Sequence, residues 1–207
     1  MTDSIQKIIL FGGSFDPIHK GHLTVAEFAF DQLGGDRLFF IPARRSPHKS
    51  EGPFASGQAR LTMIRLAIAG RDRFETSDCE LRRPPPSYTL DTVRHFRQVF
   101  GSSAEFFWLV GADAANDLGR WYHIDELLDA CRLCIMHRGG MPSPRLDHLI
   151  KPLGAQRVAQ LERHMLATPR IEADSTAIRA RLAAGKSVED LLPPAVLDYI
   201  RRERLYA

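Results

Sequence analysis

His19 and His22 stand three residues apart with Gly21 between them, shortly after the pair Gly12-Gly13 and the dipeptide Asp16-Pro17. Each imidazole is a directional N–H donor, and a hydrogen bond to a charged acceptor is worth about 1.5–3 kcal/mol net. The chain around them suits phosphate. Ile8 to Phe11 is an apolar run with the length of a strand covered on both faces. Gly12 and Gly13 then permit a sharp turn and let a ligand approach without a Cβ in the way, and Ser14 and Phe15 belong to the same concave exit. Helical periodicity begins at Gly21, with Leu23, Ala26, Phe30 and Leu33 on one stripe. Both histidines therefore fall at or just before a helix N-terminus, where unpaired N–H groups and a partial positive charge attract anions. Gly21 keeps the chain close to that ligand. A metal-like reading of the two histidines is weaker, because the glycine turn, the Asp-Pro turn and the histidines coincide at the end of one strand.

Other residues able to do chemistry recur along the chain, each with a plainer structural role beside the functional one. His48 and Lys49 close the basic loop Ala43 to Lys49, which either reaches a polyphosphate or is simply solvated. Ser87 or Thr89 caps the helix that carries Leu90, Val93, Phe96 and Phe100, or else Thr89 and nearby N–H groups bind an acidic substrate. Gly111-Ala112-Asp113 leaves an apolar strand at its ligand edge, where Asp113 accepts from a ribose hydroxyl or caps the next helix. Trp121, beside Tyr122, is a core aromatic or a stacking surface for a flat ring. His137-Arg138-Gly139-Gly140 is a basic turn, and Asp174-Ser175-Thr176 with Arg179 one turn on makes either a second anion site or a plain N-cap. Cys131 and Cys134 share the C-x-x-C spacing with His137 following, but the segment reads as a strand, which points residues three apart to opposite faces. Buried cysteines are the better account, and no protein metal site is assigned.

These residues need a scaffold that delivers them to one place. The 207 residues, 44% hydrophobic and 26% charged, suit one α/β domain with a continuous core. Strands are expected at Arg37–Pro42, 74–79, Glu105–Gly111, 132–136 and 170–172. Helices are expected at about 58–69, after Pro84-Pro85-Pro86, through Ile124 and Leu128, at 161–166, at 174–184 with Gly185 as the stop, and from Pro193-Pro194 onward. Residues 141–153 read as an irregular, mobile loop. The alternation implies a doubly wound, Rossmann-like parallel sheet with helices on both faces, a core over about 5–172 and a helical C-terminal part over about 173–207. A net charge of +3 is too small to argue for nucleic acid, and with neither a signal core nor a membrane-length run the cytoplasm is the expected location.

The segment G-G-S-F-D-P-x-H-x-G-H resembles the first signature of the nucleotidyltransferases that share the H-x-G-H motif. Further matches resemble the bacterial nicotinate-nucleotide adenylyltransferases. They are Pro-His-Lys at 47–49, Pro-Ser-Tyr-Thr at 86–89 with Asp91-Thr92, Gly-Ala-Asp at 111–113 with Trp121, and Ser-Thr-x-Ile-Arg at 175–179. The resemblance implies transfer of the adenylyl group of ATP to nicotinate mononucleotide, with Mg²⁺ bridging the phosphates. It implies that His19, His22 and Arg179 stabilise the ATP phosphates, assisted by Ser175 and Thr176. The ATP site would include Gly12, Gly13, Ser14, Phe15, Lys49, Gly111 and Asp113. Thr89, Trp121 and neighbouring backbone would hold the nicotinate ring, with Tyr122 and Arg138 in the same substrate site. Asp174 stands where the family commonly has serine, and a carboxylate beside polyphosphate is unfavourable unless it faces away, caps the helix or meets Mg²⁺. The rival readings are the same chemistry on nicotinamide mononucleotide or another phosphate acceptor such as phosphopantetheine, and a non-catalytic nucleotide-binding regulator. Oligomeric state is left open, a homo-oligomer included.

Overall fold

Successive residues of a strand face opposite sides of a sheet, and the apolar runs divide accordingly. In the computed structural model, which describes residues 5–47, 51–140, 143–169 and 172–207, Ile8, Leu10, Phe106 and Trp108 enter one core. Ile9, Phe11, Phe107 and Leu109 enter another. The elements, in chain order, are β1 (Lys7–Gly13), α1 (Lys20–Leu33), β2 (Arg37–Pro42), α2 (Gly57–Ala67), β3 (Phe74–Thr76), α3 (Cys79–Arg82) and α4 (Thr89–Phe100). They continue with β4 (Glu105–Gly111), α5 (Ala112–Ala115), α6 (Ile124–Ala130), β5 (Arg132–Arg138), α7 (Ile150–Leu153) and α8 (Ala155–Arg163). The last are β6 (Met165–Thr168), α9 (Ser175–Ala183) and α10 (Pro194–Arg202).

Among the described residues, six strands form one sheet in the order β3-β2-β1-β4-β5-β6, every pairing parallel. α4, α6 and α8 cover one face, and α1, α2, α9 and α10 cover the other. The fold is therefore the doubly wound α/β arrangement expected from the sequence. Strand order reverses between β1 and β4, which opens a crevice beyond their carboxyl ends. None of the helices among the described residues is long and apolar enough to cross a membrane. Cys131 joins the first core and Cys134 the second, so the sheet separates the two thiols, and burial pushes both pKa values up, that of Cys134 to about 12.

Several local expectations are corrected. Gly12 and Gly13 do not turn the chain: both lie in β1 and neither has a positive φ, the left-handed residue being Phe15 at φ 47°. Gly12 is needed for space, because a Cβ there would stand 2.4 Å from Trp108 Cζ2, and one on Gly13 would meet the Phe15 ring at 3.0 Å. The strand expected over 74–79 stops at Thr76, and Cys79 opens the single turn of α3. Met165 and Leu166 continue the helical stripe of α8 in sequence, yet pair with Ile135 and Met136 as β6. A sheet edge far away in sequence decides their state. The strand expected at 170–172 falls on Arg170 and Ile171, which lie outside the described residues. Residues 147–153 are not irregular: a short 3₁₀ turn and α7 set Leu146, Leu149 and Leu153 into the core.

Gly12→Ala is expected to destabilise the fold by about 1–3 kcal/mol through overpacking against the buried Trp108 ring. A lower urea midpoint with an unchanged m-value checks this; a wild-type midpoint would mean that the ring yields without cost.

Candidate active site

α1 starts with an unusual cap. His19 is the N-cap residue, with φ −142° and ψ 169°, and its Nδ1 accepts from the N–H of His22 at 3.3 Å. His22, at the third helical position, returns the bond through its own Nδ1, which accepts from the N–H of His19 at 3.3 Å. Ser-x-x-Glu commonly fills this reciprocal arrangement, and here two imidazoles fill it. The rings stack with centroids 3.7 Å apart. An imidazole that accepts through Nδ1 carries its proton on Nε2, so the cap fixes one tautomer in both rings. His19 is only 6% exposed, and burial pushes its pKa down to about 4, partly countered by Asp174. Near neutral pH it is an uncharged donor. Gly21 packs against this ring rather than serving only to admit a ligand: a Cβ there would meet His19 Nδ1 at 3.0 Å and Ala173 at 3.2 Å.

The strand exit beneath the histidines is held by buried polar groups. The Phe15 ring is buried against Phe11 and Phe40, and His22 meets it edge-on at 5.0 Å. Asp16, 3% exposed, is a hub. Its carboxylate accepts from the N–H of Phe54 at 2.7 Å, the N–H of Ala55 at 3.1 Å and the hydroxyl of Tyr206 at 2.6 Å. Arg60, 2% exposed, donates to the carbonyls of Ser14 and Ala55. Burial lowers the Arg60 pKa, and Asp16 and Glu80 oppose that shift.

α9 brings a second helix start to the same place. Asp174 is its N-cap and accepts from the N–H groups of Thr176 and Ala177, each at 3.1 Å, so its carboxylate is committed to the helix. Of the three fates open to the extra carboxylate the cap is the one seen, and Asp174 also lines the cleft. Ser175 Oγ donates to the Pro17 carbonyl at 3.0 Å and ties α9 to the strand exit, a tethering role the sequence did not suggest. Arg179 donates to the Asp16 carbonyl at 2.7 Å and to Thr176 Oγ1 at 3.3 Å, and its guanidinium lies 4.5 Å from the centroid of the Phe54 ring.

His19, His22, Asp113, Ser175, Thr176 and Arg179 line one cleft of about 980 Å³, together with Ser14, Phe15 and Gly111. A hollow of about 310 Å³ shares His19, His22 and Gly111 with it and continues past Phe11, Val25 and Pro169. There His137 Nδ1 is buried with no hydrogen-bond partner among the described residues. Asp113 does not cap α5, whose N-cap is Gly111. Lys49 and His48 lie outside the described residues, and Arg138 is placed only as the last residue of β5, in register with Thr168.

Of the expected substrate residues, Thr89 opens α4 and Tyr122 lies at its start. Tyr122 stacks on Tyr88 at 4.3 Å, which brings it beside Thr89, while Trp121 packs its half-buried ring against the first core. Neither Ser87 nor Thr89 caps α4. Its N-cap is Tyr88, with no side-chain bond, and Ser87 Oγ accepts instead from the N–H of Arg44 at 3.0 Å. Sequence reasoning passed over Asp16 as a carboxylate hub, along with Phe54, Arg60 and Tyr206. The apolar Phe54 in a polar loop was a usable signal, whereas nothing local marks Tyr206.

The cytidylyltransferase-like family model matches residues 10–181. Two relatives, each named probable nicotinate-nucleotide adenylyltransferase, come from Chromobacterium violaceum and Synechococcus sp. (strain JA-3-3Ab). The first is 38% identical, covering 97% of this chain and 98% of the relative. The second is 37% identical, covering 97% and 95%. In fold, the chain is similar to the Plasmodium falciparum nicotinic acid mononucleotide adenylyltransferase solved with NaAD, at a TM-score of 0.74 and 19% identity over 97% of both chains.

The depressed His19 pKa makes stability depend on pH. Between the ordinary value of 6.5 and about 4 the unfolded chain takes up a proton that the folded one refuses, so stability falls as pH falls through that window. The loss approaches the order of 3 kcal/mol when complete. His19→Asn retains a capping acceptor without the titration. Urea unfolding at pH 7 and pH 4.5 is expected to show a pH dependence smaller in the variant by about 2 kcal/mol. Equal pH dependence in both proteins would refute the buried neutral imidazole.

Proposed function

The chain belongs to the nicotinate-nucleotide adenylyltransferases of the cytidylyltransferase-like family, and from that premise we propose that it transfers the adenylyl group of ATP to nicotinate mononucleotide. The products are deamido-NAD and pyrophosphate. The observation that supports this reading best is the convergence of His19, His22 and Arg179 on one cleft at the switch point of the sheet.

A phosphate monoester has its second ionisation near about pH 6, so the acceptor needs no general base. One of its oxygens forms a bond to the α-phosphorus of ATP while the bond from that phosphorus to the β-phosphate oxygen breaks. Pyrophosphate leaves with the electron pair. His19, His22 and Arg179 serve as fixed donors to the phosphate oxygens on which charge builds, and aligning the two substrates contributes about 7–11 kcal/mol of barrier reduction. Asp113 is assigned to the ribose, and the apolar hollow past Phe11 and Val25 to the purine. Ser175 and Thr176 keep α9 and Arg179 at the phosphates. The side-chain-uncapped start of α4 at Thr89 supplies N–H groups for the nicotinate carboxylate, with Tyr122 and Trp121 as the aromatic wall. Lys49 and Arg138 are assigned on sequence alone. Mg²⁺ is assigned to the ATP phosphates, and Asp113 and Asp174 are carboxylates of the same cleft that would face it.

Pyrophosphate release with ATP and Mg²⁺, compared across nicotinate mononucleotide, nicotinamide mononucleotide and phosphopantetheine, tests the reading. Nicotinate mononucleotide is expected to lead in kcat/KM by about 10–100-fold over the carboxamide, as loss of one charge-assisted hydrogen bond implies. Another preferred acceptor would overturn the assignments at Thr89, Trp121 and Tyr122, and no release with any acceptor would favour a binding protein. His22→Ala is expected to lower kcat by about 10²–10³, while losing half of the reciprocal cap lowers Tm by only a few degrees, about 2–4 °C per kcal/mol in a chain of this size. Full activity in that variant would remove His22 from the mechanism.

A further inference from the structure

Beyond α10 the backbone bends twice into the left-handed region, at Arg204 (φ 51°) and Tyr206 (φ 65°), and the N–H of Leu205 donates to the Ile200 carbonyl at 3.0 Å. Side chains rarely adopt that conformation without compensation. Here the compensation is a contact with the strand exit: the Tyr206 hydroxyl donates to Asp16 Oδ1 at 2.6 Å, 190 positions away in sequence. The same oxygen takes the N–H of Ala55, and Oδ2 takes the N–H of Phe54. Two of the three supports of the Arg179 guanidinium, the Asp16 carbonyl and the Phe54 ring, therefore trace back to Asp16, the third being Thr176 Oγ1 on α9 itself. The ring of Phe54 is 72% exposed, so little besides this backbone bond fixes its place.

We propose that Tyr206 is a positioning residue for adenylyl transfer, holding Arg179 in its productive place through Asp16. The proposal rests on the reading of the cleft given above. Burial pushes the phenol pKa up, so Tyr206 remains a donor throughout the working pH range. Without that hydroxyl, Oδ1 keeps a single donor in a buried setting, and a buried carboxylate short of donors recruits the nearest cation. Of the two cations facing Asp16, Arg60 is buried and held by the Ser14 and Ala55 carbonyls, whereas Arg179 lies at the cleft and already within hydrogen-bond reach of the Asp16 carbonyl. Drawn onto the carboxylate, it leaves the phosphates.

A double-mutant cycle separates positioning from plain structural support. Tyr206→Phe is expected to lower kcat about tenfold while KM for the mononucleotide stays within about twofold. In an Arg179→Ala background the same change is expected to alter kcat by less than about twofold, because its route is already cut. Phe54→Ala, at an exposed ring whose loss spares the fold, interrupts the same path and is expected to be equally silent without Arg179. Wild-type kcat in Tyr206→Phe, or equal losses in both backgrounds, would overturn the proposal. If the wild-type protein releases no pyrophosphate with any acceptor, the adenylyltransferase reading fails on its own. The same cycle then runs on ATP affinity by calorimetry: weakening by Tyr206→Phe only when Arg179 is present sustains the positioning role, and weakening in both backgrounds or in neither refutes it.

Discussion

A carboxylate taken out of water has to be met by donors, and Asp16 is met by three of them from two distant parts of the chain. That requirement fixes the loop leading into α2 and the segment that follows α10. Arg60 places a compensating positive charge in the same interior and ties the Ser14 carbonyl to the start of α2. Ser175 and Arg179 then fasten α9 to the carbonyls of Pro17 and Asp16. The crevice at the switch point is a general property of this sheet order. Its walls here follow from the solvation needs of one buried charge.

The donors in the cleft divide into two kinds. His19 is neutral because it is buried, and its role as a helix cap fixes which nitrogen holds the proton. Structure and chemistry use the same bond. Arg179 instead supplies full charge, clamped between a carbonyl, a hydroxyl and an aromatic ring. A directional neutral donor fixed where charge builds on a phosphate oxygen gains most as that charge develops, and holds the ground state less tightly than a cation would.

What was legible in the sequence was whatever depends on neighbours along the chain. Continuous apolar runs of strand length announced the strands and their two covered faces, and the stripe from Leu23 to Leu33 announced α1. The His19/His22 pair was readable because its chemistry and its helix start share one short segment. Met165 and Leu166 were misread because a distant edge decides between helix and strand. Ser87 was misread as a cap, and the bond of Ser175 to Pro17 was not foreseen, because a hydroxyl near a helix start has several available partners and here loops from elsewhere provided them. The roles of Gly12 and Gly13 were inverted for a related reason: the demand for a missing Cβ comes from the rings of Trp108 and Phe15, not from their own backbone angles. Asp174 was legible as a set of alternatives, and geometry selected the cap.

The bond between Asp16 and Tyr206 also orders events in time. A ribosome delivers the histidine segment early and α9, α10 and Tyr206 much later. Domains begin to fold during synthesis at about 5–20 residues per second. Until residues 105–111 emerge β1 lacks its neighbour β4, and until Tyr206 emerges Asp16 lacks one of its three donors, so the nascent chain presents the histidine segment before the cleft around it is complete. Contacts this distant also carry the largest loop-closure entropy. The support that Tyr206 gives Asp16 is therefore added last, after every residue that lines the cleft has been made.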